Sequence, residues 1–510
     1  MTTHAVRFLS FSLFAGLLMA LPKGAHAQEK SSLRAGAGKV EITHPDHPAG
    51  DNPPFVKALV LTDDATGATA VLISIDAVAI DEIGSIRDPY LANVRAQLKA
   101  DLGVDPKSVL INASHCHSQV CTDVEARTVN AVKMAWKNRV PVTVAAGTGH
   151  EDRIMENRRL KLKGGGEADV RHAYSIPPDA EIESVGPVDP EIGILRLDRA
   201  DTGKPVAMVF HFSVHPIQGE PSGKNTADLS GFAAKVIEEQ LGEGAVALFV
   251  QGCGGDINPA NYKVVDQPRN ALPLGNLLGL STLRGARNLK PQASPSLSVV
   301  NETLSIPRAD LAPRIAEMET EIDALLESLK GTSLNLETFL PLYVKYHLAG
   351  ETPSTYAQRY LQDEALGIDD WKNLDAENRK NLDAYVRNIL VMEELTRKQI
   401  NLALMEKHQA RNVASGSTTV EVEVVGLRVG DFRLITFPGE VTIPIGLNLK
   451  KQSPHELTFI SGYSNGYLYY TPTAEQLLNR GGAQEDSDCL VAPEWQALFE
   501  TKALEILKGL

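Results

Sequence analysis

The 510-residue sequence is poor in cysteine, with only Cys116, Cys121, Cys253 and Cys489 and no C-x-x-C pair. That is too few for a disulfide scaffold, and the spacing does not suit a structural zinc knuckle. Whether Cys116 and Cys121 pair locally stays open. Beyond the first residues no stretch approaches the roughly 18 apolar residues of a membrane span, so no transmembrane segment is expected there. Basic runs are also missing. Acidic residues outnumber basic ones by 64 to 50 and the formal charge is −14, which argues against a nucleic-acid partner. There is no repeat, low-complexity tract or long flexible linker.

The N-terminus carries a short basic segment, "MTTHAVR", an apolar run over residues 8–21, and the small-residue sequence Ala25 to Ala27. This pattern predicts a signal peptide over 1–27 and an exported protein, periplasmic or secreted. The remainder, 28–510, reads as one multilayer domain.

Residues 35–300 alternate between strand-like and helix-like runs. "ALVLTDD", "TAVLISID", "SVLINAS", "PVAMVFHFSV" and "AVALFVQG" are β-rich, whereas "PYLANVRAQLKADLG" and "LSGFAAKVIEEQLG" have helical spacing. The alternation predicts an α/β fold with a mixed sheet in several layers. Residues 309–410 form a helical block. Ile315, Met318, Ile322, Leu325 and Leu329 recur at alternating steps of three and four, and Leu382, Val386, Ile389 and Leu395 mark a second stretch. This block is either plain packing or a cover over a site. Strands return with "TTVEVEVVGLRVGDFRLITFPGE" and "HELTFISGYSNG".

Five strand-like runs end in residues suited to a site. "SVLINAS" leads to His115-Cys116-His117, "VAMVFHFSV" to His215, "AVALFVQG" to Asp256, "FRLITFPG" to Glu440, and "ELTFISGYS" to Asn465 with Tyr467, Tyr469 and Tyr470. Ligands of α/β proteins bind outside the carboxyl ends of strands, so a shared pocket is expected. On an extended backbone His115 and His117 would share a face. Two histidines with a carboxylate and an open position for water satisfy what catalytic zinc requires.

A competing reading comes from Gly462-Tyr463-Ser464-Asn465-Gly466, which matches the G-x-S-x-G nucleophile elbow. That elbow needs a helix after the serine and a histidine later in the chain. Here "YLYYTPT" follows, and His455 is the last histidine. A nucleophilic Ser464 is therefore not expected.

The ordered blocks "AGAGKVEIT", "NASHCHS", "ENRR", "VDPEIGILRLD", "FSVHP", "QGCGGDINP", "FPGE" and "SNGYLYYTPT" resemble those of the neutral, non-lysosomal ceramidases, zinc amidases that cleave the N-acyl bond of ceramide. The resemblance spans nearly all of the chain after residue 27. It implies zinc held by His115, His215, Glu440 and Tyr470, with Tyr467 and Tyr469 as alternatives to Tyr470. It further implies His117 as acid/base and Tyr470 as a stabiliser of the oxyanion. Asn258 would donate to substrate, Asp256 would orient a histidine, and His211, Asp228 and Asp76 are further residues near the pocket. The expected substrate is a small-molecule or lipid amide. Three features depart from the family. Asn258 stands where ceramidases carry serine, Ala483 lies where a second tyrosine is expected, and the family's C-terminal β-sandwich is expected to be lacking. Other classes that could use the same residues are a metal-dependent esterase or lactonase, an amidohydrolase-type barrel, and a non-catalytic exported binding protein. The sequence leaves the oligomeric state open.

Overall fold

The computed structural model describes residues 32–169, 177–242, 244–262, 264, 266–292, 295–349, 357–478 and 483–510. The predicted signal peptide lies outside the described residues. Among them, no helix is long and apolar enough to cross a membrane.

Eight strands form the larger sheet: β1 (Leu33–Glu41), β2 (Phe55–Asp63), β3 (Thr69–Ile75), β4 (Val109–Ala113), β5 (Val140–His150), β6 (Glu191–Arg199), β7 (Pro205–Phe212) and β8 (Val246–Gln251). Their order is β8-β7-β6-β5-β1-β2-β3-β4. β3 runs parallel to β4 and β7 parallel to β8, while the other neighbours are antiparallel. Each parallel pair is joined through a helix, as a crossover requires: α1 (Tyr90–Leu102) after β3 and α3 (Asp228–Leu241) after β7. The mixed α/β reading of the sequence therefore holds.

A second sheet is formed by β9 (Leu297–Pro307), β10 (Thr419–Val429), β11 (Phe432–Thr436) and β12 (Thr458–Ser461), in that order. Strands β2, β3, β4 and β8 of the larger sheet are buried and largely apolar on both faces because both faces are covered. In β2, Val56, Ala58 and Val60 belong to one core, and the alternating Leu59 and Leu61 to another. The second of these cores also holds Leu427, Phe432, Leu434 and Phe459, so it fills the space between the two sheets. On the outer face of the larger sheet α2 (Val124–Lys137) packs on β1 and β2, α3 on β8, and α4 (Leu272–Ala286) on β5 and β6. α9 (Ile443–Gln452) and α10 (Trp495–Gly509) cover the outer face of the smaller sheet. The result is four layers: helix, sheet, sheet, helix.

The expected helical block is present between β9 and β10 as α5 (Ala312–Ser328), α6 (Leu336–Ala349), α7 (Ala357–Leu366) and the 45-residue α8 (Asp370–Ala414). The periodic residues of α5 do form an inner face. Met318 and Ile322 pack on Leu395 and Met405, with Ile315 and Leu325 beside them. Leu382 instead joins Phe339 and Tyr346 in a separate cluster, and Ile389 is exposed.

Candidate metal centre

The strand ends bring three chemically matched side chains together. His115 follows β4 in a left-handed backbone conformation, φ 66°, an uncommon one for a residue with a Cβ and one that clusters at functional sites. The extended geometry expected for His115 and His117 is thus replaced by a turn. The turn aims His115 inward and leaves His117 exposed to solvent. His115 Nδ1 lies 2.7 Å from the Val78 carbonyl. His215 is held in the same manner, with Nδ1 3.1 Å from the Ile257 carbonyl and its own N–H donating to that oxygen at 2.9 Å. A carbonyl can only accept, so each Nδ1 carries a proton, and in the neutral imidazole this leaves the Nε2 lone pair available to a cation.

Both lone pairs face Glu440. Its Oε2 is 3.1 Å from His215 Nε2 and 3.4 Å from His115 Nε2. All three residues are buried and their ligand atoms lie within 4.8 Å of one another. Burial, then the Arg158 guanidinium, pushes the His215 imidazole down to about 3. Burial alone would raise the Glu440 carboxyl. A proton on either facing histidine, together with the Tyr467 hydroxyl, overrides that and holds it well below the usual carboxylate range. Two neutral imidazoles and one carboxylate form the N/O donor set that zinc prefers. The arrangement therefore fits a divalent cation.

Backbone pairing delivers the tyrosines. Glu440–Val441 runs parallel to Tyr470–Thr471, with Glu440 opposite Tyr470. Gly255 lets this pair approach the loop after β8, since a Cβ there would stand 2.4 Å from the Glu440 carbonyl oxygen. The Tyr470 ring stacks beside His215 at 6.5 Å between centroids, and its hydroxyl accepts from Arg158 Nη2 at 3.1 Å. Tyr467 instead donates its hydroxyl to Glu440 Oε1, and Tyr463 donates to Oε2 at 3.3 Å. Tyr469 points toward the helical block, where Lys407 and Arg411 lie over its ring. Of the three candidate tyrosines, Tyr467 reaches Glu440 and Tyr470 reaches Arg158.

Arg158 received no role from its sequence. It is fully buried, donates to Glu485, to the Gly255 carbonyl at 2.5 Å and to Asn258 Oδ1 at 3.3 Å. Arg159 beside it is paired with Glu485 at 2.7 Å and with Asp486 at 2.6 Å. The adjacent arginines and the Glu485-Asp486 pair were visible as charges. Their burial was not, because more than 300 positions separate the partners. Asn258 keeps its Nδ2 without a partner among the described residues, a buried donor beside Tyr470's arginine.

Other expected site residues have different surroundings. Asp256 has no hydrogen bond to a histidine among the described residues. Its Oδ1 accepts from the Ile443 N–H at 2.7 Å and its Oδ2 from Asn157 at 3.1 Å, so it braces the start of α9. Burial, then Glu485, pushes its carboxyl up to about 7. His211 faces the Ile460 carbonyl at 2.9 Å, near the Phe459 ring and away from the triad. Asp76 accepts from the Phe55 N–H at 3.0 Å. Asp228 holds the Gly219 N–H beside a chamber described below. The four cysteines are free and buried, and the local Cys116–Cys121 bridge is not formed.

Ser464 is fully buried. Its hydroxyl donates to the Gly462 carbonyl at 2.9 Å and accepts from Asn112 at 3.1 Å. The glycines of the elbow-like motif serve the backbone. A Cβ on Gly462 would meet the Gly439 carbonyl at 2.7 Å, and Gly466 has φ 147°. Between them, Tyr463 adopts φ 52°, which sets its ring 4.4 Å from that of His115.

His117 lies at 5.4 Å from His115, ring to ring and edge-on. Surrounding protein pushes its imidazole down to about 4, a proton on His115 would add to that push, and its solvent-exposed edge moderates it. Its edge opens into a chamber of about 640 Å³ that also runs along the segment after His215.

No protein-family profile matches the chain, and no curated protein sequence does. Among solved structures the chain is similar to the neutral ceramidase of Pseudomonas aeruginosa, with a TM-score of 0.59 and 16% identity over 94% of this chain and 75% of that one. A ceramidase complexed with C2 gives the same TM-score at 15% identity, over 94% of this chain and 76% of that one. The four-layer architecture is thus a ceramidase-like fold.

Proposed function

We propose that this chain is a zinc-dependent hydrolase that cleaves an N-acyl amide bond. The observation that carries the reading is the convergence of His115 Nε2, His215 Nε2 and Glu440 Oε2, each with its other polar atom already held. Tyr470 completes the ligand set in this reading. A bound zinc ion would polarise the acyl carbonyl and lower the pKa of water to about 7.

The chain's own groups supply the remainder. His117, exposed to the chamber, takes a proton from the attacking water and returns it to the leaving amine. Arg158 orients the Tyr470 hydroxyl. Asn258 Nδ2, a buried donor with no partner among the described residues, supports the oxyanion. The N-terminal pattern over 1–27 supports export, and residues 28–510 act as one catalytic domain.

The test is elemental analysis of the purified protein together with amine release from a panel of N-acyl amides. The reading expects about one zinc per chain and turnover that a chelator removes. Ester cleavage without amide cleavage by the zinc-loaded protein would overturn it.

A further inference from the structure

The chamber beside His117 has walls that do not suit a long alkyl chain. Its apolar side chains are Pro48, Pro216 and Ile217. Burying a chain is worth about 0.8 kcal/mol per methylene only against an apolar wall, and sites for apolar ligands are lined mainly by such groups. Here three such side chains share the wall with hydrogen-bonding groups of both signs. Asp46, Glu220 and Asp228 face the same space as Lys224 and Arg269.

Several of these groups are not used by the fold. Gln218 is 94% buried by area, since its exposure is 6%, yet its Oε1 has no partner among the described residues. Glu220 Oε1 is in the same position. A buried acceptor left unsatisfied costs about 1–3 kcal/mol, so both favour a ligand or water that donates. Lys224 and Arg269 form no ion pair among the described residues, and Arg269 lies over Tyr262 at 4.4 Å from the ring centroid. Acceptors, donors and an aromatic ring within one small chamber match a ligand rich in hydroxyl groups and without net charge.

Resting on the hydrolase reading above, we infer that the amine half of the substrate is a polyhydroxylated amine, an amino sugar, joined to a short acyl group. The Gln218–Glu220 wall accepts its hydroxyls while the acyl carbonyl reaches the triad.

The experiment uses the full zinc-loaded protein and its chelated form. The probes are N-acetylglucosamine, N-palmitoylglucosamine, and a two-chain ceramide in mixed micelles. Turnover is followed by amine release and binding by calorimetry. The inference expects kcat/KM for the N-acetyl sugar at least tenfold above that for either long-chain probe. It also expects Gln218→Leu to weaken sugar binding about tenfold with zinc content unchanged. If Gln218→Leu does not fold, Glu220→Ala, which removes the second acceptor, should give the same loss. Preference for ceramide, or no sugar binding by either form, would overturn the inference. Sugar binding that Gln218→Leu weakens, with no amide turned over, would sink the hydrolase reading and leave the sugar site standing.

Discussion

The layered body and the helical block are stabilised in different ways. In the body, apolar strands are sealed on both faces, and buried charges find partners far away in sequence. In the block over 312–414, two small clusters around Met405 and Leu382 serve as cores. Leu336, Leu340, Leu348 and Leu361 are each more than half exposed. The block meets the body near the end of α8. There His408 lies 2.7 Å from Asp488, Arg411 donates to Glu82 and to Tyr469 at 3.2 Å, and Asn412 accepts from Arg308 at 3.0 Å. No residue of the block lines the chamber beside His117. The candidate metal centre thus lies in the part whose polar groups are over-determined, and the block meets that part through Glu82, Arg308, Tyr469 and Asp488.

The comparison can be broken in four places. The largest effect is expected at the triad. His115→Ala or His215→Ala removes a ligand and should abolish metal retention and amide turnover, measured by elemental analysis and amine release. Next, Glu485→Ala leaves Arg158 and Arg159 without their shared carboxylate. Breaking a buried ion pair costs about 3–5 kcal/mol, to be read as a lowered urea midpoint of the body. Met405→Ala should cost about 2–5 kcal/mol, confined to the block. Limited proteolysis should then cut α5 or α8 sooner while zinc content stays unchanged. Loss of zinc in that variant would erase the distinction between the two regions. Ser464→Ala should have the smallest effect, a loss of about 1 kcal/mol from its hydrogen bonds with turnover within a few-fold of wild type.

Acidity gives a further contrast. Burial pushes His211, between the sheets, down to about 4. A depressed histidine contributes stability above its unfolded value of about 6.5 and loses it as pH falls toward the folded value. The body of the chelated protein should therefore weaken between about pH 6.5 and 4. His211→Gln should flatten that dependence, as followed by thermal melts at each pH. An unchanged slope would mean that His211 is not buried in its neutral form.

Much of this was legible in the sequence, for particular reasons. The apolar runs around Ile111, Val209 and Leu434 announced strands, and their polar endings pointed to His115, His215 and Glu440. The face of α5 was readable because Met318 and Ile322 repeat at helical spacing. What could not be read depended on backbone turns and distant partners. The left-handed conformation of His115 turns it into the buried triad while His117, its ring 5.4 Å away, stays at the solvent edge, whereas alternation along a strand would have set both on one face. The resemblance implied Asp256 as a histidine partner, but the α9 N-terminus takes its carboxylate. Arg158 was hidden because Glu485 and Tyr470, which define its place, lie more than 300 residues away.

The most direct test of the central claim is zinc content per chain in the wild-type protein and in Glu440→Gln, both purified identically and analysed by elemental mass spectrometry. About one zinc is expected in the wild type and a large loss in the variant, with the fold retained by circular dichroism. Equal zinc in both, or none in a wild type that still hydrolyses amides in the presence of a chelator, would contradict it.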